Sequence, residues 1–294
     1  MIPRNLYESD HEMFRDSVRK FIEVEAMPHH DQWEKDGMVS DEVWLKAGEQ
    51  GFLGLAVPEE FGGVNADFRY NCILNEEIAR SGCTGLGWTL HNDISVPYIV
   101  RYGSDFQKKK YLPRCASGEL ITAIAMTEPA AGSDLQGTKT TAVLDGDHYI
   151  LNGSKTFITN GQKAGLVIVV AKTDTTAGSK GISLLLVEAD LPGFTKGKNL
   201  QKLGMKAQDT SELFFQDVRV PRENLLGEEG RGFVYLMQDL PQERLSIAVG
   251  AVANAQAILD ATVDYTKDRK AFGTCLLYTS PSPRDATLSR MPSS

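Results

Sequence analysis

Ile124-Ala-Met-Thr-Glu-Pro-Ala-Ala-Gly-Ser-Asp134 marks the place where the chain changes character. The apolar run Leu120, Ile121, Ala123, Ile124, Ala125 breaks at Pro129, and small residues with Gly132, Ser133 and Asp134 take over. A strand that ends in a loop of small residues lets a flat ligand approach backbone N–H and C=O groups closely. As local pattern alone, the same letters describe an ordinary turn.

Upstream the spacing is helical. Ser9 and Glu12 read as a capping box opening a helix, with Phe14, Val18, Phe21 and Ile22 on one face and Pro28 ending it. A second helix starts near Ser40, turns Val43, Trp44 and Ala47 inward and stops before Gly51. Further helical patterns cover 68–80, 96–102 and 106–112.

Downstream, short β-branched and apolar runs recur at 140–143, 149–151, 167–171, 182–187, 213–215 and 218–220. Asp145-Gly146-Asp147 and Asn152-Gly153 read as hairpin turns between them. Strands without intervening helices predict a compact β-barrel or sandwich rather than a Rossmann sheet, and no G-x-G-x-x-G follows the first strand. From Gly230 helical spacing returns, breaks at Pro241 and continues as a long helix over 242–270. That helix is nearly all Ala, Val, Ile and Leu, so both faces expect burial against partner helices. The expected architecture is α+β: an N-terminal all-α domain (1–120), a middle β-barrel or sandwich domain (121–225) and the start of a C-terminal helical bundle (226–273). Residues 274–294, Ser/Pro-rich and without period, read as a disordered tail.

At 294 residues, 41% hydrophobic and 24% charged, the composition is that of a soluble globular protein with length for more than one domain. A net charge of −8 argues against a broad nucleic-acid surface, while leaving room for anionic ligands held by local cations or backbone donors. Cys72, Cys83, Cys115 and Cys275 form no C-x-x-C pair and have no His at zinc-ligand spacing, so reduced thiols and no metal site are expected. No apolar run is expected to reach membrane-span length. Met1-Ile2-Pro3-Arg4 has neither a signal-peptide nor a transit pattern, and the default expectation is cytoplasmic.

Two segments carry a resemblance. Thr127-Glu128-Pro129-x-Ala131-Gly132-Ser133-Asp134, and further on Asn152-Gly153-Ser154-Lys155-Thr156-Phe157-Ile158-Thr159-Asn160-Gly161, resemble in order the two flavin-contacting segments of the acyl-CoA dehydrogenase family. Val57-Pro58-Glu59-Glu60-Phe61-Gly62-Gly63 resembles a loop of the same family. Lys206-Ala207-Gln208-Asp209-Thr210 and Leu240-Pro241-Gln242-Glu243-Arg244-Leu245 are similar to its long-chain-type members. The resemblance covers residues 6–273; beyond it the text departs from the family and looks like unrelated sequence joined to a truncated coding region. It implies FAD as cofactor, an acyl-CoA as substrate, an electron-transfer flavoprotein as acceptor, and homodimers or homotetramers for the full-length parent.

The family oxidises an acyl-CoA to the trans-2-enoyl-CoA: a carboxylate removes the α-proton while the β-hydrogen leaves as hydride to flavin N5. The resemblance implies Glu243 as that base, although a glutamate early in a helix is by itself an ordinary feature favoured by the macrodipole. It implies Gln242 and Arg244 near the substrate. It implies a flavin cradle of Ile124, Ala125, Met126, Thr127, Gly132 and Ser133, with Ser133 also on the CoA side. Phe157 matches the aromatic stacked on the isoalloxazine, Ile158 adjoins it, and Thr159 matches the hydroxyl at N5. Arg269 matches an arginine that reaches FAD across a subunit interface. Ala130 stands where the family more often has glycine, which is tolerable with negative φ. His29, His30 and His91 lack ligand spacing and read as surface or core residues. A straight medium or long acyl chain is the leading substrate expectation; an isovaleryl-type branched chain is the alternative. An oxidase-like flavoprotein, a non-catalytic acyl-CoA-binding relative and an inactive truncated one are the remaining readings.

Overall fold

The computed structural model describes residues 5–271 and 273–276. Six helices come first: α1 (Ser9–Phe21), α2 (Met27–Asp36), α3 (Asp41–Glu49), α4 (Phe68–Ser81), α5 (Val96–Tyr102) and α6 (Asp105–Ala116). Ser40 occupies the N-cap of α3 without a side-chain cap bond, whereas the Asp67 carboxylate accepts from the Arg69 amide at α4, and Ser104 and Gln107 form a capping box at α6. At α1 the box belongs to Glu8 and His11, one residue before the expected Ser9–Glu12 pair. Pro28 does not end the first helix. A π-helical turn at Ile22–Ala26 carries the chain on, and Pro28 lies in the first turn of α2, where its missing N–H is no loss. The stop comes at Gly37, left-handed at φ 77. Val18, Ile22, Val43, Trp44, Ala47 and Trp88 form the core of this helical part.

The middle part is a sheet of β1 (Thr122–Ala125), β2 (Thr141–Asp145), β3 (His148–Thr159), β4 (Leu166–Lys172), β5 (Ile182–Glu188), β6 (Phe194–Asn199), β7 (Thr210–Pro221) and β8 (Leu225–Leu226). Its order is β6-β7-β3-β2-β4-β5-β8, with β1 parallel to β4. The expected hairpin at Asp145-Gly146-Asp147 is present between β2 and β3. Asn152-Gly153 is no turn: it lies inside β3, and the pairing with β7 slips there as a bulge. Glycine is needed because a Cβ at position 153 would stand 2.4 Å from the Thr140 hydroxyl, on a backbone at φ 151.

β4 and β5 are buried on both faces. Val167, Val169, Leu185 and Val187 pack with Tyr149, Leu151, Leu213 and Val218 inside the β-domain. Ile168, Val170, Leu184 and Leu186 point the other way, onto Ile99, Tyr111 and Leu112 of the helices. This hairpin is therefore the shared wall between the two parts, and its unbroken apolar text follows from that position.

α7 (Gly232–Asp268) runs straight through Pro241, where a break was expected. Contacts on both sides hold it: Asp239 pairs with Arg101 and accepts from Tyr102 Oη (2.6 Å), and Gln242 accepts from Arg101 (2.7 Å). Past Ser246 the helix leaves the body. Leu245, Val252 and Leu259, spaced by sevens, are 52%, 61% and 56% exposed. This is the long helix whose faces expected partners, and within the described residues its outer face has none. Contrary to expectation, α7 is also apolar enough by length and composition to cross a membrane, with a mean hydropathy of 1.3 in its most apolar window. β9 (Lys270–Ala271) pairs antiparallel with β10 (Thr274–Cys275), so the chain keeps regular structure slightly past the expected limit at 273. The rest of the expected tail, from 277, lies outside the described residues.

Candidate active site

Glu243 lies on the inner face of α7 and is 7% exposed. The hydroxyl of Tyr98, from α5, donates to its Oε1 at 2.8 Å. Burial pushes the Glu243 carboxyl above its ordinary range, opposed by the Tyr98 hydrogen bond and by the charges of Arg244 and Arg101. Burial likewise raises Tyr98, so the tyrosine is neutral and donates. A buried carboxylate with a raised pKa and one donor on one oxygen can take up a proton from a neighbouring carbon acid.

Around Glu243, polar contacts pin three successive turns of α7. Asp239 and Gln242 meet Arg101, and the Gln242 amide donates to the Asp93 carbonyl at 3.0 Å. Ser246 donates to the Asp93 carboxylate, which also accepts from Asn71 (2.5 Å) and Asn75 (2.8 Å). Asp93 sits on a second π turn, Leu90–Ser95, beneath the helix. A cavity of about 180 Å³ opens beside this frame between Phe68, Asn71, Pro97, Val100, Arg101 and Gln242. Of the other predicted substrate residues, Gln242 is half-buried in the frame and Arg244 is exposed on the outer side of α7.

The two segments named from the sequence are joined. The Thr156 amide donates to the Thr127 carbonyl at 2.9 Å, which bridges the loop after β1 to the middle of β3. Beside it, the Lys155 ammonium donates to the Met126 carbonyl (3.1 Å) and the Glu128 carboxylate (2.8 Å). That pair is buried. Glu128 accepts in addition from the amides of Lys139 (2.6 Å) and Thr140 (3.1 Å). Burial opposes the Glu128 charge, but Lys155 and the amides outweigh it and hold the carboxyl below its ordinary value. Burial lowers Lys155 to about 8 against the pull of Glu128.

Ile124 and Ala125 are buried in β1, Met126 and Thr127 are half-buried, and Gly132 and Ser133 are exposed at the loop tip. Ile124 belongs to the same apolar cluster as Tyr98, with Met126 packed on it, so the loop and the surroundings of Glu243 share one core. A bulge between Lys155 and Ile158 turns Phe157 out of the sheet. Phe157 is 68% exposed and left-handed at φ 58, while Ile158 is buried and Thr159 half-buried beside it. A bulky residue in that conformation costs about 1–2 kcal/mol. Ala130 has negative φ, which the replacement of glycine required. Arg269 is not brought to this site: it is exposed beyond the end of α7, 26 positions from Glu243 and roughly 40 Å along the axis at the helical rise.

Sequence reasoning missed Tyr98, Asp93, Ser246 and the Lys155–Glu128 pair. His91, read as surface or core, is core: its Nε2–H donates to the Cys115 carbonyl (3.1 Å) and its Nδ1 accepts from the Thr122 amide (3.2 Å).

Three domain families match in chain order: the acyl-CoA dehydrogenase N-terminal domain over 8–119, the middle domain over 123–218 and the C-terminal domain over 230–280. The long-chain specific acyl-CoA dehydrogenase of Sus scrofa mitochondria is 55% identical over 272 residues, which is 92% of this chain and 63% of that protein. The isovaleryl-CoA dehydrogenase of Oryza sativa mitochondria is 42% identical over 271 residues, 91% of this chain and 66% of its own length. The crystal structure of an acyl-CoA dehydrogenase from Geobacillus kaustophilus has a TM-score of 0.92 at 54% identity, covering 94% of this chain and 73% of that one. This chain spans somewhat less than two thirds of the length of these curated relatives.

Proposed function

The chain belongs to the acyl-CoA dehydrogenase family, and we propose that it catalyses FAD-dependent α,β-dehydrogenation of an acyl-CoA with a medium or long straight chain. The observation that carries this reading is Glu243: a carboxylate buried on the inner face of α7, raised in pKa and oriented by Tyr98.

Members of the family bind FAD, and the residues here suit it. Phe157 presents an exposed aromatic face on a backbone conformation that packing alone does not require. Thr156–Thr127 and Lys155–Glu128 tie that face to the Ile124–Ser133 cradle, so both would contact one flat ring system. Thr159 would offer its hydroxyl beside the ring. Bound FAD supplies the acceptor for the β-hydrogen and its electron pair. Glu243 takes the α-proton: the α C–H bond breaks, its electron pair stays on the substrate to form the new double bond, and an O–H bond forms on the carboxylate. Burial serves this step twice, by excluding water and by bringing the carboxylate's proton affinity nearer to that of its weak carbon acid. The long-chain-type motif around Glu243 supports a straight chain. The same reading extends to an electron-transfer flavoprotein as acceptor, to a cytoplasmic setting, and to an assembly in which the distant Arg269 serves a neighbouring copy.

The test is the flavin absorbance of the FAD-loaded protein under anaerobic addition of octanoyl-, palmitoyl- and isovaleryl-CoA. Bleaching by the straight thioesters, abolished in Glu243→Gln, is expected. Bleaching by isovaleryl-CoA alone would refute the straight-chain assignment, and bound flavin that none of the three bleaches would refute the dehydrogenase reading.

A further inference from the structure

We propose that Tyr98 is the positioning residue of Glu243: its hydroxyl fixes Oε1 of the carboxylate and leaves Oε2 as the oxygen that receives the substrate's α-proton. This rests on the reading of Glu243 as the base. It adds a division of labour between the two carboxylate oxygens, and names the residue that enforces it.

A glutamate carboxylate rotates broadly about its last torsion, and its two oxygens interchange. A base that must meet one carbon at one angle gains from having that torsion set beforehand. Tyr98 is suited to set it. The ring is fully buried, its hydroxyl is 2.8 Å from Oε1, and among the described residues it is the donor that Glu243 has. The ring is held in turn: it packs on Tyr102 at 6.0 Å between centroids, and Tyr102 stacks on Tyr235 of α7 at 4.1 Å. Arg101 through Asp239, one turn before Glu243, and the Asp93 cluster through Ser246, one turn after it, fix the rotation of α7. Tyr98 therefore acts on the carboxylate, while the frame acts on the helix.

The charged and titratable groups facing Glu243 can be named. Arg101 and Tyr98 of α5 act on the Glu243 carboxyl, as does the charge of Arg244 from the exposed side of α7; Asp93 on the π turn below is engaged by Ser246 and by the neutral Asn71 and Asn75 of α4. Asp239, the other nearby carboxylate on α7, is engaged by Arg101 and Tyr102. Among the described residues Tyr98 is the one donor in direct contact with the Glu243 carboxylate, so its loss should act on Glu243 and leave the rest of the set in place.

The measurement is a pH titration of the Glu243 carboxyl by ¹³C-glutamate NMR, with the signal assigned by its loss in Glu243→Gln. Tyr98→Phe, which deletes one oxygen and keeps the ring, is expected to move the midpoint upward by about one unit, the scale of one hydrogen bond to a charged acceptor. The acidic limb of the rate of flavin bleaching should move with it, giving about a tenfold slower reaction on that limb. Tyr102→Phe, which removes a hydroxyl from the frame, should leave the midpoint where it is. In the unmutated protein the Tyr98 ring carbon bearing oxygen should report the Glu243 midpoint in its own shift, which requires no variant to fold. An unmoved midpoint in Tyr98→Phe, or a Tyr98 signal blind to that titration, overturns the inference while an inactive Glu243→Gln keeps the base assignment. Bleaching that survives Glu243→Gln overturns the base assignment and this inference with it.

Discussion

Replacing Lys155 with methionine tests whether the buried staple between the two motif segments holds the fold as well as the site. The ammonium reaches Glu128 at 2.8 Å and the Met126 carbonyl at 3.1 Å, and neither charged side chain has appreciable access to water. Removing one partner of a buried pair leaves an uncompensated charge, at a cost of about 3–5 kcal/mol. Glu128 would keep its hydrogen bonds from the Lys139 and Thr140 amides, which places the expected loss near the lower end, about 3 kcal/mol. The assay is denaturant unfolding of Lys155→Met, Glu128→Gln and the double variant. The single variants should lower the midpoint at unchanged slope, and the double variant should lose less than their sum, because it leaves no orphaned charge.

The same pair has a signature in pH. Lys155 titrates near 8 in the folded chain against an ordinary value of 10.5, so between those values the folded state binds fewer protons than the unfolded one. Its contribution therefore makes stability rise with pH across that window, and the rise should vanish in Lys155→Met. Losses below about 1 kcal/mol, strict additivity, or an unchanged alkaline profile would refute the buried-pair reasoning.

Two other predictions concern single residues. His91 is buried and neutral, and burial holds it at about 4 against an ordinary 6.5, so it contributes stability that is intact above 6.5 and lost as pH falls toward 4. Urea unfolding across that window should fall by up to about 3 kcal/mol, and His91→Gln should remove that acid limb while lowering stability at neutral pH. Phe157→Gly should leave unfolding stability within about 1 kcal/mol, since it deletes an exposed ring and relieves a left-handed backbone. FAD affinity, read by quenching of flavin fluorescence, should weaken up to about tenfold, the scale of one aromatic stack. A large stability loss with unchanged affinity would make Phe157 structural.

What the sequence made legible follows the range of each interaction. α3, α4 and α5 were located to within about a residue because helical spacing acts over three or four residues. Pro28 and Pro241 misled because the neighbouring π turn and the distant Arg101 decide what those prolines do. Asn152-Gly153 has the letters of a turn, yet its glycine answers to Thr140 on the adjoining segment. Lys155 and Glu128 both stood within the quoted motifs, but their pairing depends on the register of β3, and a lone Lys or Glu is far more often a solvated side chain.

α7 shows a signal that was present and unread. Asp239, Gln242, Glu243 and Ser246 fall at helical spacing on one face, and it is this polar stripe that turns inward, while Leu245, Val252 and Leu259 turn outward. An ordinary surface helix does the reverse. Burying three polar residues and half-burying a fourth against a domain is tolerable only where each finds a partner, and Arg101, Tyr98 and Asp93 are those partners. A polar stripe on an otherwise apolar helix thus points to a built site on the inner side and to further packing on the outer. Glu243 occupies the middle of that stripe, held by contacts that a helix placed only for its apolar residues would not need.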